Sequence, residues 1–105
     1  MEFGTIPARE LDRYVQENGT VILDLRSPEE YRKQHIRGAV NFPCHSDKEK
    51  RMEFIYPKDK EYVLYCARGA VSLAAARELA ARGYRVKTVV GGIRAYRGHY
   101  LEKGF

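Results

Sequence analysis

Two apolar runs stand out from an otherwise mixed chain. Thr20-Val21-Ile22-Leu23-Asp24-Leu25 and Glu61-Tyr62-Val63-Leu64-Tyr65 are short, continuous and rich in β-branched or aromatic residues. That is the pattern of strands covered on both faces. Phe3 to Ile6, Ala39 to Phe42 (closed by Pro43) and Arg85 to Val90 predict three further strands. Between the strands the spacing becomes helical. Pro7 opens a helix whose apolar face is Leu11, Tyr14 and Val15, with Gly19 after its end. Ser27-Pro28-Glu29-Glu30 combines an N-cap, a proline at the first helical position and a capping box, and sets Tyr31 and His35 four residues apart on one face. His45 to Arg51 predicts a polar helix ending before Pro57. Leu73 to Arg82 is alanine-rich and stopped by Gly83, and Gly91-Gly92 makes a bend before a terminal helix holding Ile93, Tyr96 and Tyr100.

Strands alternating with helices at this spacing predict a three-layer α/β fold, a central parallel sheet of about five strands with helices on both faces. The chain has 105 residues, 44% of them hydrophobic, enough for one core and therefore a single domain over residues 1–105. No apolar run approaches the ~20 residues of a membrane helix, and the first residues lack a signal-peptide pattern. A cytoplasmic monomer with no membrane partner is the expectation. Two cysteines, Cys44 and Cys66, are too few for a disulfide framework and fit a reducing compartment. The +5 net charge is scattered among acids rather than gathered into a stripe. It predicts a solvated surface with a general attraction for small anions, and no nucleic-acid partner. The cysteines and the three histidines show no metal-ligand spacing, so neither metal nor cofactor is expected.

The chemistry gathers at Cys66-Ala67-Arg68-Gly69-Ala70-Val71-Ser72. Cys66 follows a buried strand and precedes a helix, so its sulfur should lie at a helix N-terminus, where unpaired N–H groups and the helix dipole favour an anion. Gly69 can adopt backbone angles closed to other residues and let the loop curl around the sulfur, with successive N–H groups pointing inward. Arg68 adds a full positive charge. An inert, packed cysteine would need neither the glycine loop nor the helix start behind it. In parallel sheets ligands bind beyond the carboxyl ends of the strands, which is where Cys66 falls.

Three segments resemble the rhodanese-like domains: Asp24-Leu25-Arg26-Ser27-Pro28-Glu29-Glu30-Tyr31 followed by His35-Ile36-Arg37-Gly38-Ala39-Val40-Asn41; the loop Cys66 to Ser72 after an apolar strand; and Gly91-Gly92-Ile93 through Tyr96. With the elements between them they cover nearly the whole chain. The resemblance implies a rhodanese-like fold and a sulfurtransferase. Cys66 would take sulfane sulfur from a small anionic donor of the thiosulfate or persulfide type, hold it as a persulfide, and pass it to cyanide or to a thiol acceptor, a protein thiol included. Ala67 to Ser72 would form the substrate-binding loop. Two departures stand out. Strong thiosulfate users often carry basic residues in the later half of the loop, where this chain has Ala70 and Val71, which weighs against thiosulfate as the preferred donor. Tyr96 stands where the family usually has a tryptophan, a packing variation.

Asp24 and Arg26 lie two residues apart at a strand end and point to the same side. They are expected to support the catalytic loop from the neighbouring strand; an ordinary ion pair at a helix entrance is the alternative. His35 is expected to pack rather than act as a base. The resemblance implies a strand order that puts the strand before Cys44 two places from that of Cys66, roughly 10 Å away and beyond disulfide reach. Cys44 is therefore read as structural, with a resolving thiol as the alternative. Ser72 occupies the position where a cysteine phosphatase needs a guanidinium, so the sequence argues against phosphate chemistry. The remaining alternatives are a non-enzymatic rhodanese module that binds a partner, which typically lacks the cysteine, and a redox-sensing thiol protein.

Overall fold

The computed structural model describes residues 3–43 and 54–104. Five strands, β1 (Gly4–Pro7), β2 (Thr20–Asp24), β4 (Val40–Asn41), β5 (Glu61–Tyr65) and β6 (Arg85–Val90), form one sheet in the order β1-β6-β5-β2-β4. Every pairing in it is parallel. The expected α/β architecture is present. β2 and β5, the two long apolar runs, lie side by side near the middle, with Leu23 opposite Leu64 and Asp24 opposite Tyr65.

Alternation along these strands splits the core in two. Ile22, Val63, Tyr65 and Val89 face one layer with Leu11 and Tyr14 of α1 (Leu11–Val15), while Leu23, Leu25, Tyr62, Leu64 and Val86 face Ala75, Ala76, Leu79 and Ala80 of α3 (Ala70–Ala81). A period of two sends successive side chains to opposite faces, so a strand buried on both sides must be apolar throughout. Phe54, Tyr62 and Tyr84 extend the α3 layer as an edge-to-face aromatic cluster. No helix among the described residues is long and apolar enough to cross a membrane.

The structure departs from the sequence expectations in four places. The helix opened by Pro7 starts as a 3-10 turn, Ala8–Glu10, before α1. α2 (Pro28–Lys33) has the expected capping box, Ser27 accepting from the Glu30 N–H and Glu30 accepting from the Ser27 N–H, but it ends at Lys33. His35 therefore sits in β3 (His35–Ile36), still stacked on Tyr31 with ring centroids 3.8 Å apart. α3 begins at Ala70 rather than Leu73, because Gly69 at φ +107° serves as its N-cap. The terminal helix is replaced by a 3-10 turn, Gly92–Ala95, followed by β7 (Leu101–Glu102), which pairs antiparallel with β3 in a second small sheet. Cys44, His45 and the expected helix to Arg51 lie outside the described residues.

Candidate active site

β5 delivers Cys66 directly from its last residue, Tyr65, at the carboxyl end of a central strand. Cys66 is 5% exposed and belongs to the core layer under α3. Its sulfur accepts hydrogen bonds from the N–H of Gly69 at 3.1 Å and of Ser72 at 3.4 Å. Ala70 and Val71 occupy the first turn of α3, whose N–H groups have no acceptor within the helix. The loop is thus wound around the sulfur with donors facing inward, an arrangement that stabilises negative charge.

The carbonyls explain how the loop holds that shape. The Cys66 carbonyl accepts from the Ile93 N–H (2.9 Å) and the Ala67 carbonyl from the Arg94 N–H (3.1 Å), so both are drawn away from the sulfur and satisfied by the 3-10 turn. This close approach is possible only at glycine. A Cβ on Gly92, at φ +65°, would sit 2.4 Å from the Cys66 carbonyl oxygen and 2.6 Å from that of Ala67. The paired glycines of the sequence therefore act as the clamp of the Cys66 loop.

Behind the sulfur lies a chain of buried hydroxyls. Ser72 Oγ is 3.6 Å from Cys66 Sγ and donates to the Gly69 carbonyl at 3.2 Å, while the Thr88 hydroxyl of β6 donates to Ser72 Oγ at 2.8 Å. Ser72 is 0% and Thr88 2% exposed. In front of the sulfur opens a pocket of about 240 Å³ lined by Leu25, Arg26, Glu30, Cys66, Ala67, Arg68, Ala70 and Val71. Ala70 and Arg68 are exposed at its rim. Its wall toward α3 is apolar.

Asp24 and Arg26 stand on the neighbouring strand end. The fully buried Asp24 carboxylate accepts from the Arg26 backbone N–H (2.9 Å), from Arg26 Nε (3.1 Å) and Nη2 (2.8 Å), and from the Tyr65 hydroxyl (2.7 Å). Burial alone would lower the Arg26 pKa, but the hydrogen bond and charge of Asp24 outweigh it and hold the guanidinium above its ordinary value. Burial, with the Asp24 charge added, pushes the Tyr65 phenol far above its ordinary range. Arg26 also donates to the Gln34 carbonyl and reaches the Cys66 pocket, so its charge there is largely compensated.

All nine residues singled out from the sequence, Cys66 to Ser72 together with Asp24 and Arg26, are gathered at one end of the sheet. Asp24 itself does not line the pocket; it acts on Arg26 and Tyr65. His35 is buried, its Nδ1 2.8 Å from the Tyr31 carbonyl, in the packing role expected of it. Three contributors went unnoticed in the sequence: Tyr65, Glu30 and Thr88. Thr88 carried a signal, as a hydroxyl on a strand otherwise apolar toward α3. Among the described residues no group of histidines, cysteines and acids could hold a metal ion.

Comparison with known proteins agrees with this geometry. The family model of the rhodanese-like domain matches residues 7–99, and the chain belongs to that family. A tRNA sulfurtransferase of Desulfurococcus amylolyticus is 38% identical over 85 residues, covering 80% of this chain but only 16% of that protein. The thiosulfate sulfurtransferase PspE of Escherichia coli is 32% identical over 72 residues, 69% of each chain. A rhodanese-like domain protein from Staphylococcus aureus superposes with a TM-score of 0.79 at 26% identity, covering 98% of this chain and 100% of that one.

Proposed function

We propose that this protein is a sulfurtransferase that carries sulfane sulfur as a persulfide on Cys66. The observation that carries the reading is the placement of Cys66 Sγ, hydrogen-bonded by the Gly69 and Ser72 N–H groups at the floor of an open pocket. Membership of the rhodanese-like family and relatives named sulfurtransferases support the same chemistry.

The thiolate attacks the outer sulfur of a donor such as thiosulfate, the S–S bond breaks, and sulfite departs with the electron pair. The enzyme is left as Cys66–S–S⁻. A thiolate or cyanide then attacks the terminal sulfur, forming a new persulfide or thiocyanate and returning the Cys66 thiolate. The negative charge stays near the loop donors throughout, which is where preorganised N–H groups lower the barrier. Asp24 and Arg26 hold the strand end beside the loop and take no part in bond making.

The pocket favours donors whose transferable end carries little charge. Arg26 is paired with Asp24, Glu30 adds a carboxylate, and Ala70 and Val71 are neutral. A persulfide-type donor and a thiol acceptor fit this wall better than a dianion held by Arg68 alone. The test is whole-protein mass spectrometry after incubation with thiosulfate and, separately, with glutathione persulfide. The expected outcome is a gain of one sulfur (about 32 Da), labile to cyanide, absent in Cys66→Ala, and greater with the persulfide. No added sulfur from either donor would defeat the proposal and favour a partner-binding module instead.

A further inference from the structure

Thr88 has no place in the sulfur chemistry described so far, yet its buried hydroxyl lies one hydrogen bond from the residue behind the sulfur. It faces α3 from β6, the strand next to β5, at a position paired with Leu64. Valine has the same shape and would fill that apolar layer without needing a partner. The Ser72 hydroxyl it touches has one proton and three neighbours: Thr88 Oγ1, the Gly69 carbonyl and Cys66 Sγ. In the neutral thiol the S–H can donate to Ser72 Oγ while Ser72 donates to Gly69. When the thiol has lost its proton to solvent, the sulfur becomes an acceptor and Ser72 Oγ loses a donor. The Gly69 carbonyl stays satisfied by the Leu73 N–H at 3.0 Å, so the Ser72 proton is free to turn to the sulfur. Its oxygen then needs a donor from elsewhere, since a buried acceptor left unmade is costly. Thr88 supplies it.

We infer that Thr88 is a positioning residue that, by donating to Ser72 Oγ, commits the Ser72 proton to the anionic sulfur of Cys66. The inference rests on the persulfide reading of Cys66. Thr88 does not line the Cys66 pocket, although it borders a neighbouring one with Arg68, Gly69 and Ala70. Its hydroxyl reaches the sulfur through Ser72, so its removal is expected to act on the anion rather than on donor binding.

The experiment measures sulfur-transfer kcat and KM for Thr88→Val, Thr88→Ser, Ser72→Ala and the Thr88→Val/Ser72→Ala double variant, each checked for an unchanged thermal midpoint relative to its activity assay. Thr88→Val is expected to lower kcat about 2- to 10-fold, the span of one net hydrogen bond, with KM for the donor unchanged. Thr88→Ser restores the rate, and the double variant is no slower than Ser72→Ala, because Thr88 works only through Ser72. A wild-type kcat in Thr88→Val, or a double variant slowed by the product of both single effects, overturns the inference while leaving the persulfide intact. Absence of any sulfur on wild-type Cys66 removes the persulfide reading, and this inference falls with it. A Thr88→Val protein that melts early but regains wild-type kcat below its midpoint assigns Thr88 to packing alone and overturns it too.

Discussion

Asp24 ties together more of the site end than any other single side chain. Its carboxylate binds Arg26 and Tyr65, its carbonyl accepts from the Phe42 backbone N–H and the Asn41 side-chain amide, and Tyr65 in turn accepts from the Ile36 N–H. One acid thus joins β2, β4, β5 and the short β3. Both charges are almost out of water, and removing one partner strands the other. Asp24→Ala is expected to cost about 3–5 kcal/mol in urea unfolding, the range for a broken buried pair. The folded fraction should still load sulfur on Cys66. A loss of stability near zero would show that Arg26 finds water instead, and a folded variant that cannot be loaded would move Asp24 into the chemistry. The sequence revealed the pair from its spacing of two at a strand end, but not Tyr65. That partner is 41 residues away and becomes adjacent only when β2 and β5 align in register.

At the scale of elements, the loop from Cys66 to Gly69, the first turn of α3 and the 3-10 turn at Gly92 work as one unit. The loop's donors face the sulfur because its carbonyls are held from behind by the Ile93 and Arg94 N–H groups. Gly92→Ala places a methyl group where the Cys66 and Ala67 carbonyls now lie, in a backbone conformation that disfavours it. The loop must shift, and displacement of reacting groups by about an ångström costs on the order of a hundredfold in rate. Sulfur loading of Cys66 in Gly92→Ala should fall by about that factor, measured as the initial rate of the 32 Da gain. Gly104→Ala, with nothing within 4 Å of the new Cβ, serves as the comparison. Equal loading in both variants would dissociate the clamp from the site. The Cys66 loop was legible because strand, glycine and helix follow one another locally. The early start of α3 was not, since Gly69 caps it through a left-handed φ and offers no side-chain signal. The spacing of Ile93, Tyr96 and Tyr100 predicts a terminal helix that does not form. The Tyr96 hydroxyl donates to Asp12 and accepts from the Tyr100 N–H, holding that segment in a non-helical form bent at Gly98 and His99 until β7 pairs with β3. Such pairing is set by distant partners, and local periodicity does not report it.

Across the whole molecule, tyrosine hydroxyls serve as internal fasteners, and this sets an alkaline limit on stability. Tyr31, Tyr62, Tyr65 and Tyr96 are all held above their ordinary phenol pKa, chiefly by burial, with neighbouring acids or phenols adding to it. Tyr96 is raised to about 12 by burial and its hydrogen bond to Asp12. Lys87 is raised as well, first through its hydrogen bond to Glu61. In each case the folded protein holds its proton more tightly than the unfolded chain. Their contribution is therefore complete below the unfolded value near 10 and is lost as pH rises through the folded one. The urea midpoint should stay level from neutral pH to just below 10 and then fall steeply toward 12. Tyr96→Phe should start lower, having lost the Asp12 and Tyr100 contacts, yet decline less between pH 10 and 12 because one of the titrating phenols is gone. An equal decline in both proteins would assign the alkaline loss to Tyr31, Tyr62, Tyr65 and Lys87 and leave the Tyr96 fastener without a role in it. A sheet whose Cys66 end is organised by a carboxylate, a guanidinium and a phenol, and whose two layers are fastened by further phenols, Tyr62 on one side and Tyr31 and Tyr96 on the other, is thus expected to fail first where those phenols ionise.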